Sequence, residues 1–349
     1  MSKNNTNNLY MEISIIIVTY NEESNIRKCL ESISKQNYPS NLLEILIIDD
    51  NSTDDTVKIA KEFTNKIYFS GKKNSEVSKA IGIKKSIYKH ILFIDADNFF
   101  IDKDTILNLT RPFLKEKNLL CSYPYRFYLN NNDDLSNQYC SLFGINDPFQ
   151  FYTKTRDHIT HYKKFDMEVI FEEKEKYFKC NLFRNKLITL GSIACLLDKS
   201  KILKIFNNRD IFVHSEILNK VLIENDYSFA LIKTDIYHNH CQSLKSLQKK
   251  LKRNVHYYLS KKIDRPEIND FHWLTTNKKK FIIAILKICS LIIPIYDSLK
   301  MYIQTKNKSS FIHVYISLYC LVTYSFLTIA FILKSFIYKN FFKFFRNNI

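Results

Sequence analysis

Polar side chains follow directly on three separate apolar runs of the chain. They are Tyr20 and Asn21 after residues 13–18, Asp50 after residues 43–48, and Asp95 and Asp97 after residues 91–94. Two carboxylates on a short turn offer the oxygen ligands that Mg²⁺ and Mn²⁺ take, commonly together with substrate phosphates. The sequence has neither G-x-G-x-x-G nor G-K-[ST], which disfavours dehydrogenases and P-loop enzymes. We therefore expect a diphosphate held by a metal ion and by side chains.

The runs that position these groups have the composition of buried strands. Residues 13–18 (ISIIIV) are continuous and mostly β-branched, as expected of a parallel strand covered on both faces. Segments with helical spacing separate the runs, so strand and helix alternate through the first hundred residues. This alternation predicts an α/β fold with a mostly parallel sheet, whose carboxyl edge brings the polar groups into one crevice.

Three motifs resemble the family 2 glycosyltransferases of GT-A fold. They are SIIIVTYN at residues 14–21, EILIIDDNSTD at 44–54 and LFIDAD at 92–97. Their order and spacing match the family over roughly residues 12–260. The resemblance implies a Rossmann-like central sheet with flanking helices. It also implies transfer of a hexose-like residue from a nucleoside diphosphate, with inversion and with Mn²⁺ or Mg²⁺ as cofactor.

The resemblance assigns roles on the donor side of the site. Tyr20 and Asn21 would lie near the nucleobase, and Asp50 would bind the base or the ribose. Lys79 stands where the family commonly has an arginine near the diphosphate. The alternatives are a solvated helix lysine for Lys79 and a packing aromatic for Tyr20. Asp95 would lie by the ribose and the diphosphate. The metal group would comprise Asp97 as the direct ligand, Asp95, and His238 from the sequence His238-Asn239-His240.

The acceptor side departs from the family pattern at one position. Gly191 and Ser192 resemble the small-residue segment that lines the acceptor pocket. Residues 214–216 read His-Ser-Glu where the family usually shows Glu-Asp, whose aspartate is the catalytic base. Inversion needs a base to deprotonate the attacking hydroxyl, and we take Glu216 as the first candidate and His214 as the second. The alternatives are a surface-helix glutamate and a catalytically impaired membrane scaffold that keeps the GT-A fold.

The charge of the chain is concentrated near its C-terminal end. Of the net +17, residues 243–349 carry +15, from 19 Lys/Arg and four Asp/Glu. This excess surrounds apolar segments, so it fits an anionic membrane surface better than a nucleic acid. The expected partners are therefore a nucleotide-sugar donor, a saccharide or lipid-linked acceptor and a membrane, with no nucleic acid.

Two apolar stretches predict membrane association. Residues 311–333 carry no formal charge and have the length of a transmembrane helix, and residues 281–296 are shorter and contain a lysine. The domain prediction is a GT-A domain over 1–242, a basic amphipathic linker helix over 243–280 and membrane-associated helices over 281–349. No signal peptide is visible before residue 13. We expect the catalytic domain on the cytoplasmic face, anchored by one helix or a helical hairpin, in cell-envelope or surface-polysaccharide synthesis.

Overall fold

The first apolar run is strand β1 (Ile13–Thr19), which lies between β2 (Leu43–Asp49) and β4 (His90–Asp95). A short strand, β3 (Ile67–Phe69), extends the sheet beyond β2. All of these pairs are parallel, and Thr19 lies beside Asp49 while Val18 lies beside Asp95. The polar residues that follow β1, β2 and β4 consequently share one edge of the sheet, as the sequence predicts.

Beyond β4 the sheet is mixed, which corrects the expectation of a mostly parallel sheet. Strand β9 (Cys195–Asp198) lies antiparallel between β4 and β6 (Leu119–Phe127), and β10 (Ser228–His238) is parallel to β6. The remaining strands are antiparallel additions at β5 (Asn98–Phe100), β7 (Ile170–Glu173) and β8 (Tyr177–Asn181). A buried apolar run shows that a strand is covered on both faces, but not which way it runs.

The structure is a computed structural model that describes residues 10–145, 147–162, 164–183, 186–191, 193–207, 209–261 and 278–346. Helices cover both faces of the sheet. They are α1 (Ile26–Ser34), α2 (Thr56–Ala60), α3 (Ser75–Lys85), α4 (Thr105–Lys115), α5 (Leu135–Phe143), α6 (Pro148–Thr153), α7 (Lys199–Phe206) and α8 (His214–Glu224). Alternate β1 residues enter two different cores: Ile16 packs with α3 and α8, and Ile15 and Ile17 pack with α1 and α4. Helix α3 approaches β1 closely because Gly82 faces Ile16 without a Cβ.

The C-terminal part is helical and shares a third core with α5 and α6. Its helices are α9 (Leu244–Lys261), α10 (Lys278–Cys289), α11 (Ile292–Thr305) and α12 (Ile312–Arg346). Helices α10 and α11 meet at an angle of 82°, so the second apolar stretch is a bent pair rather than one straight helix. Within the described ranges, one helical segment, Lys308–Lys334, is long and apolar enough to cross a membrane.

The C-terminal helices expose apolar side chains and bury polar ones. Large apolar residues on their surface include Ile283, Leu286, Ile292, Val322 and Phe326. Fully buried polar residues in the same region are Ser298, Ser309, Ser310, His313 and Ser317. In a water-soluble domain the distribution is ordinarily the opposite, so a contiguous exposed apolar surface of this kind indicates contact with a membrane or a partner.

Candidate donor and acceptor cavities

A cavity of about 660 Å³ opens at the carboxyl edge of β1, β2 and β4. Seven of the residues singled out in the sequence line it: Tyr20, Asp50, Lys79, Asp95, Asp97, Gly191 and His238. Strands β1, β2 and β4 and helix α3 position the first five, and β10 positions His238. The convergence of several strand ends on one crevice is the usual location of ligand sites in open α/β sheets.

Asp50 is held rigidly at one end of this cavity. Its Oδ1 accepts a hydrogen bond from the Ser78 hydroxyl of α3 (3.0 Å), and the side chain is almost fully buried. Burial raises the pKa of the Asp50 carboxyl, against the lowering effect of Ser78. Tyr20 stands at the exposed rim, with the Lys73 ammonium 5.1 Å from its ring centroid. A fixed acceptor and an accessible aromatic ring together suit a nucleoside.

Lys79 and Asp95 form an ion pair across the middle of the cavity. The Lys79 Nζ lies 3.8 Å from the Asp95 Oδ1, and the lysine is buried on α3. A buried lysine facing a cavity is not a solvated helix residue, which was the alternative interpretation of Lys79. The pair places a cation where a phosphate group could approach it.

Asp97 is surrounded by basic groups. The His238 Nε2 lies 3.6 Å and the Lys250 Nζ 3.8 Å from its Oδ2, while its Oδ1 accepts from the Asn98 side-chain amide at 2.7 Å. Burial opposes ionisation, but His238 and Lys250 outweigh it and hold the pKa of the Asp97 carboxyl well below its usual range. Asp97 is therefore a carboxylate at neutral pH.

This corner of the cavity fits a hard divalent cation. Within the described residues, no three His, Cys, Asp or Glu side chains form a ready metal group. A cation with one or two protein ligands completes its shell with phosphate oxygens and water. Burial and the neighbouring His238 hold the pKa of His240 well below its usual range, and its Nε2 is buried without a hydrogen-bond partner among the described groups. Asp97 thus supplies one ionised oxygen, and the imidazoles of His238 and His240 lie near it.

A second cavity, of about 290 Å³, adjoins the first. Ser75, Lys79 and Gly191 line both cavities, so the two are contiguous. The second cavity is further lined by Gln150 of α6 and by His214 at the start of α8.

The wall between the cavities is an irregular segment, residues 187–191, held by hydrogen bonds from two sides. Thr189 donates its amide to the Thr155 carbonyl (2.6 Å), and Gly191 donates its amide to the Asp157 carboxylate (2.7 Å). From α8, the Asn219 side-chain amide donates to the Ile188 carbonyl (2.8 Å). Strand β9 begins only beyond this segment, at Cys195.

His214 and Glu216 are placed differently. His214 is 7% exposed, lines the second cavity, and packs edge-on against the rings of Phe93 and Phe212. Neither ring nitrogen has a hydrogen-bond partner among the described groups. Burial and the nearby Lys79 hold the pKa of His214 well below its usual range, so the ring is neutral. Glu216 is 6% exposed and lines neither of these two cavities.

Comparison with known proteins decides the family. Residues 14–178 match the model of "Glycosyl transferase family 2". These residues form a family 2 glycosyltransferase domain. The fold agrees, because the mannosyltransferase PcManGT from Pyrobaculum calidifontis, solved with GDP-Man and Mn²⁺, superposes with a TM-score of 0.52 at 12% identity, covering 90% of this chain and 87% of that one. The GT-A architecture expected from the three motifs is thereby confirmed.

Two curated relatives match parts of this family 2 glycosyltransferase. The poly(ribitol-phosphate) beta-N-acetylglucosaminyltransferase TarS of Staphylococcus aureus is 31% identical over 102 residues, which are 28% of this chain and 18% of TarS. A poly(ribitol-phosphate) beta-glucosyltransferase of Bacillus spizizenii is 29% identical over 192 residues, 51% of this chain and 27% of that protein. The chain thus spans well under a third of the length of either relative.

Asn21, which the sequence predicts in the nucleotide-binding group, lines neither of the two cavities. The Asn21 side-chain oxygen accepts a hydrogen bond from the Thr53 backbone amide (2.9 Å), and the Asn21 backbone amide donates to the Ser52 hydroxyl (2.8 Å). Asn21 therefore links the loop after β1 to the loop after β2. Ser192 lies outside the described residues. Gly191, its neighbour, is in the cavity wall.

Several residues that line the two cavities lie outside any recognisable sequence motif. Lys250 and Arg253 of α9 line the first cavity. The sequence favours a solvated face for most charges of this basic helix, and leaves open that it lies over the donor phosphates or against anionic lipid. Gln150 reaches the second cavity from a region without a clear secondary-structure pattern. The one available signal was the spacing of Lys250 and Arg253 beside the buried Leu247 and Leu251 on an amphipathic helix.

Proposed function

We propose that this family 2 glycosyltransferase moves a hexose-like sugar from a nucleoside diphosphate to a hydroxyl of a saccharide or lipid-linked acceptor, with inversion. The observation that carries this proposal is the pair of contiguous cavities that share Lys79 and Gly191. The larger has the carboxylates and cations of a metal–diphosphate site at its base. The smaller has a neutral histidine on its wall.

In the donor cavity, Tyr20 and Asp50 would bind the nucleoside, and Lys79 would contact the diphosphate. Asp97, with His238 and Asp95 beside it, would hold Mn²⁺ or Mg²⁺. Such a cation neutralises the charge that develops on the leaving diphosphate. PcManGT, which shares the fold, was solved with a nucleotide sugar and Mn²⁺, and this supports metal dependence for the present chain.

On the acceptor side, we infer that His214 rather than Glu216 is the general base. The hydroxyl oxygen would attack the anomeric carbon as its proton passes to a ring nitrogen of His214, and the bond to the diphosphate oxygen would break on the opposite face. His214 lines the acceptor cavity, its ring is neutral, and its two buried nitrogens have no hydrogen-bond partner among the described residues. A base must be within hydrogen-bond reach of the proton it takes, so position outweighs the depressed basicity.

The C-terminal helices are the basis for the cellular location that we propose for the protein. The apolar segment Lys308–Lys334 would anchor the protein in a membrane, with α10 and α11 as a bent pair beside it. A cytoplasmic catalytic domain and a role in cell-envelope or surface-polysaccharide synthesis accord with relatives whose names specify poly(ribitol-phosphate) acceptors. A panel of donors and acceptors would identify the sugar and the acceptor that this chain uses.

The experiment is a donor-hydrolysis assay with the detergent-solubilised full chain. Nucleoside diphosphate release from UDP- and GDP-sugars is measured with Mn²⁺ and with EDTA, for the wild type and Asp97→Ala. We expect release that requires Mn²⁺ and falls at least about 100-fold in the variant. Metal-independent release would refute metal dependence. A wild type that neither hydrolyses donors nor binds them would support the alternative, a scaffold that retains the fold.

A further inference from the structure

Lys250 is the basic residue whose position the motifs leave unexplained. It comes from α9, 153 positions after Asp97, yet its Nζ lies 3.8 Å from the Asp97 Oδ2. His238 approaches the same oxygen at 3.6 Å. The other carboxylate oxygen, Oδ1, is engaged by Asn98. The ammonium therefore stands at the oxygen that a divalent cation would need.

We propose that Lys250 is the internal counter-ion that Asp97 exchanges for the metal, after which Lys250 binds the diphosphate of the donor. The proposal rests on the donor site inferred above and assigns its further cation. Without substrate, the ammonium compensates the buried Asp97 carboxylate. With a metal ion and a diphosphate bound, the Asp97 carboxylate would no longer need the ammonium, and Lys250 would be able to contact a phosphate oxygen in the same cavity.

The geometry permits this exchange because helix and side chain differ in their freedom. Leu247 and Leu251 are each 1% exposed and pack into the core shared with the C-terminal helices. The helix start is fixed by reciprocal hydrogen bonds between Ser243 and Ser246. Only the end of the Lys250 side chain, which is 30% exposed, needs to move. A lysine stem has four rotatable carbons, so its ammonium can shift by several ångströms on a fixed backbone.

The electrostatics of the cavity favour an anion beside α9. Arg253 and Lys73 line the same cavity as Lys250. Lys250 and Arg253 both contribute to lowering the pKa of His240, after burial and His238. A metal ion added at Asp97 would place further positive charge beside Lys250. Because like charges repel strongly in a partly desolvated site, the metal-bound state needs the diphosphate to stabilise the ammonium.

This arrangement also links the donor site to the C-terminal helices. The Gln248 side-chain amide of α9 donates to the Tyr315 hydroxyl of α12 (2.7 Å), and Leu247 and Leu251 share a core with Ile316 and Cys320 of α12. Helix α9 is therefore a structural element of the donor site as well as the basic linker expected from the sequence.

The test compares Lys250→Met with Lys249→Met, a neighbouring exposed lysine that lines neither described cavity. Mn²⁺ binding to the nucleotide-free protein is measured by the EPR signal of free Mn²⁺. Binding of UDP and GDP at saturating Mn²⁺ is measured by calorimetry. For Lys250→Met we expect about 3- to 10-fold tighter Mn²⁺ binding and about 10-fold weaker nucleoside diphosphate binding, with both affinities unchanged in Lys249→Met.

The two constants distinguish the possible failures. If the wild type binds Mn²⁺ and a nucleoside diphosphate but Lys250→Met behaves like Lys249→Met, the counter-ion role is wrong and the donor site stands. Weaker Mn²⁺ binding in Lys250→Met also overturns the exchange. If the wild type binds neither Mn²⁺ nor nucleotide, the proposed function fails together with this inference.

Discussion

The backbone amide of Gly191 donates a 2.7 Å hydrogen bond to Oδ2 of Asp157. The other oxygen of this carboxylate lies 2.9 Å from Nδ1 of the fully buried His158, whose ring stacks on Phe127. Gly191 lines both the donor and the acceptor cavity. A carboxylate behind the cavity wall thus sets the position of the residue at which the two substrates would meet.

We predict that Asp157→Ala destabilises the protein and impairs acceptor use. The substitution leaves the Gly191 amide and a buried histidine nitrogen without their partner, at a cost of about 1–3 kcal/mol in the free energy of unfolding. Asp157→Asn keeps an oxygen that can accept from Gly191 and should lose less. Urea unfolding and the acceptor KM of both variants are the measurements. Equal losses in the two variants would show that the effect comes from the charge of Asp157 and not from its hydrogen bond with the Gly191 amide.

The next prediction concerns His214 as the proposed general base of sugar transfer. His214→Gln should lower the transfer rate by about 10²- to 10⁴-fold, the usual contribution of a general base. Because the pKa of His214 lies well below its ordinary value, the ring stays neutral on acidification, and the wild-type kcat should show no histidine limb between pH 6 and 8. Glu216→Gln is the comparison variant. A larger loss of kcat in that variant than in His214→Gln would make Glu216 the base.

The first half of the sheet was predictable from the sequence, and the second half less so. β1, β2 and β4 are continuous apolar runs, and the groups after them must share an edge once the strands are parallel. The direction of β9 depends on where the chain re-enters the sheet after Gly191, which no local pattern specifies. The same limit explains why α10 and α11 were expected as one stretch, since the 82° bend at residues 290–291 is set by packing on α6 and α12.

The residues of the candidate site also divide into those that the sequence could predict and those that it could not. Asp50, Asp95 and Asp97 are fixed by strands adjacent to them in sequence, so the motifs place them in the cavity. Lys250 reaches the cavity, and Asp157 reaches the wall behind it, through tertiary docking of distant segments, and neither residue stands in a recognisable pattern. For residues 214–216, the sequence could not show which side chain faces the cavity. The first helical residue, His214, lines the second cavity, while Glu216, two positions later, lines neither of the two cavities.

Asp147 predicts a pH dependence of stability. It begins α6, accepting from the Phe149 amide (2.8 Å) and from the Tyr324 hydroxyl of α12 (2.5 Å). Burial raises its pKa to about 6, although both hydrogen bonds act to lower it. The folded pKa thus exceeds the unfolded value of about 3.9. The stability from protonated Asp147 is therefore fully present below about pH 4 and is lost as the pH rises through about 6.

Asp147→Asn should remove this dependence. Relative to the wild type, we expect the variant to gain about 1–3 kcal/mol in the free energy of unfolding between pH 4.5 and pH 8. Urea unfolding in detergent at pH 4.5, 6 and 8 measures the difference. A difference between the two proteins that stays constant over this range would mean that Asp147 titrates alike in the folded and unfolded chain.

The apolar surface of α12 makes the prediction that separates an anchor from an ordinary surface helix. Val322 is 68% exposed and lies near the middle of Lys308–Lys334. If this segment spans a bilayer, Val322→Lys places a charge near its centre, at a cost of about 2.5–3.5 kcal/mol on insertion scales. On a helix in water the same exposed lysine would cost almost nothing. We therefore expect Val322→Lys to reduce the fraction of protein that stays in the membrane pellet after carbonate extraction.

The control for the added lysine is Phe69→Lys, at a position 60% exposed on β3. This variant should stay in the pellet. Equal retention of both variants would contradict a spanning α12.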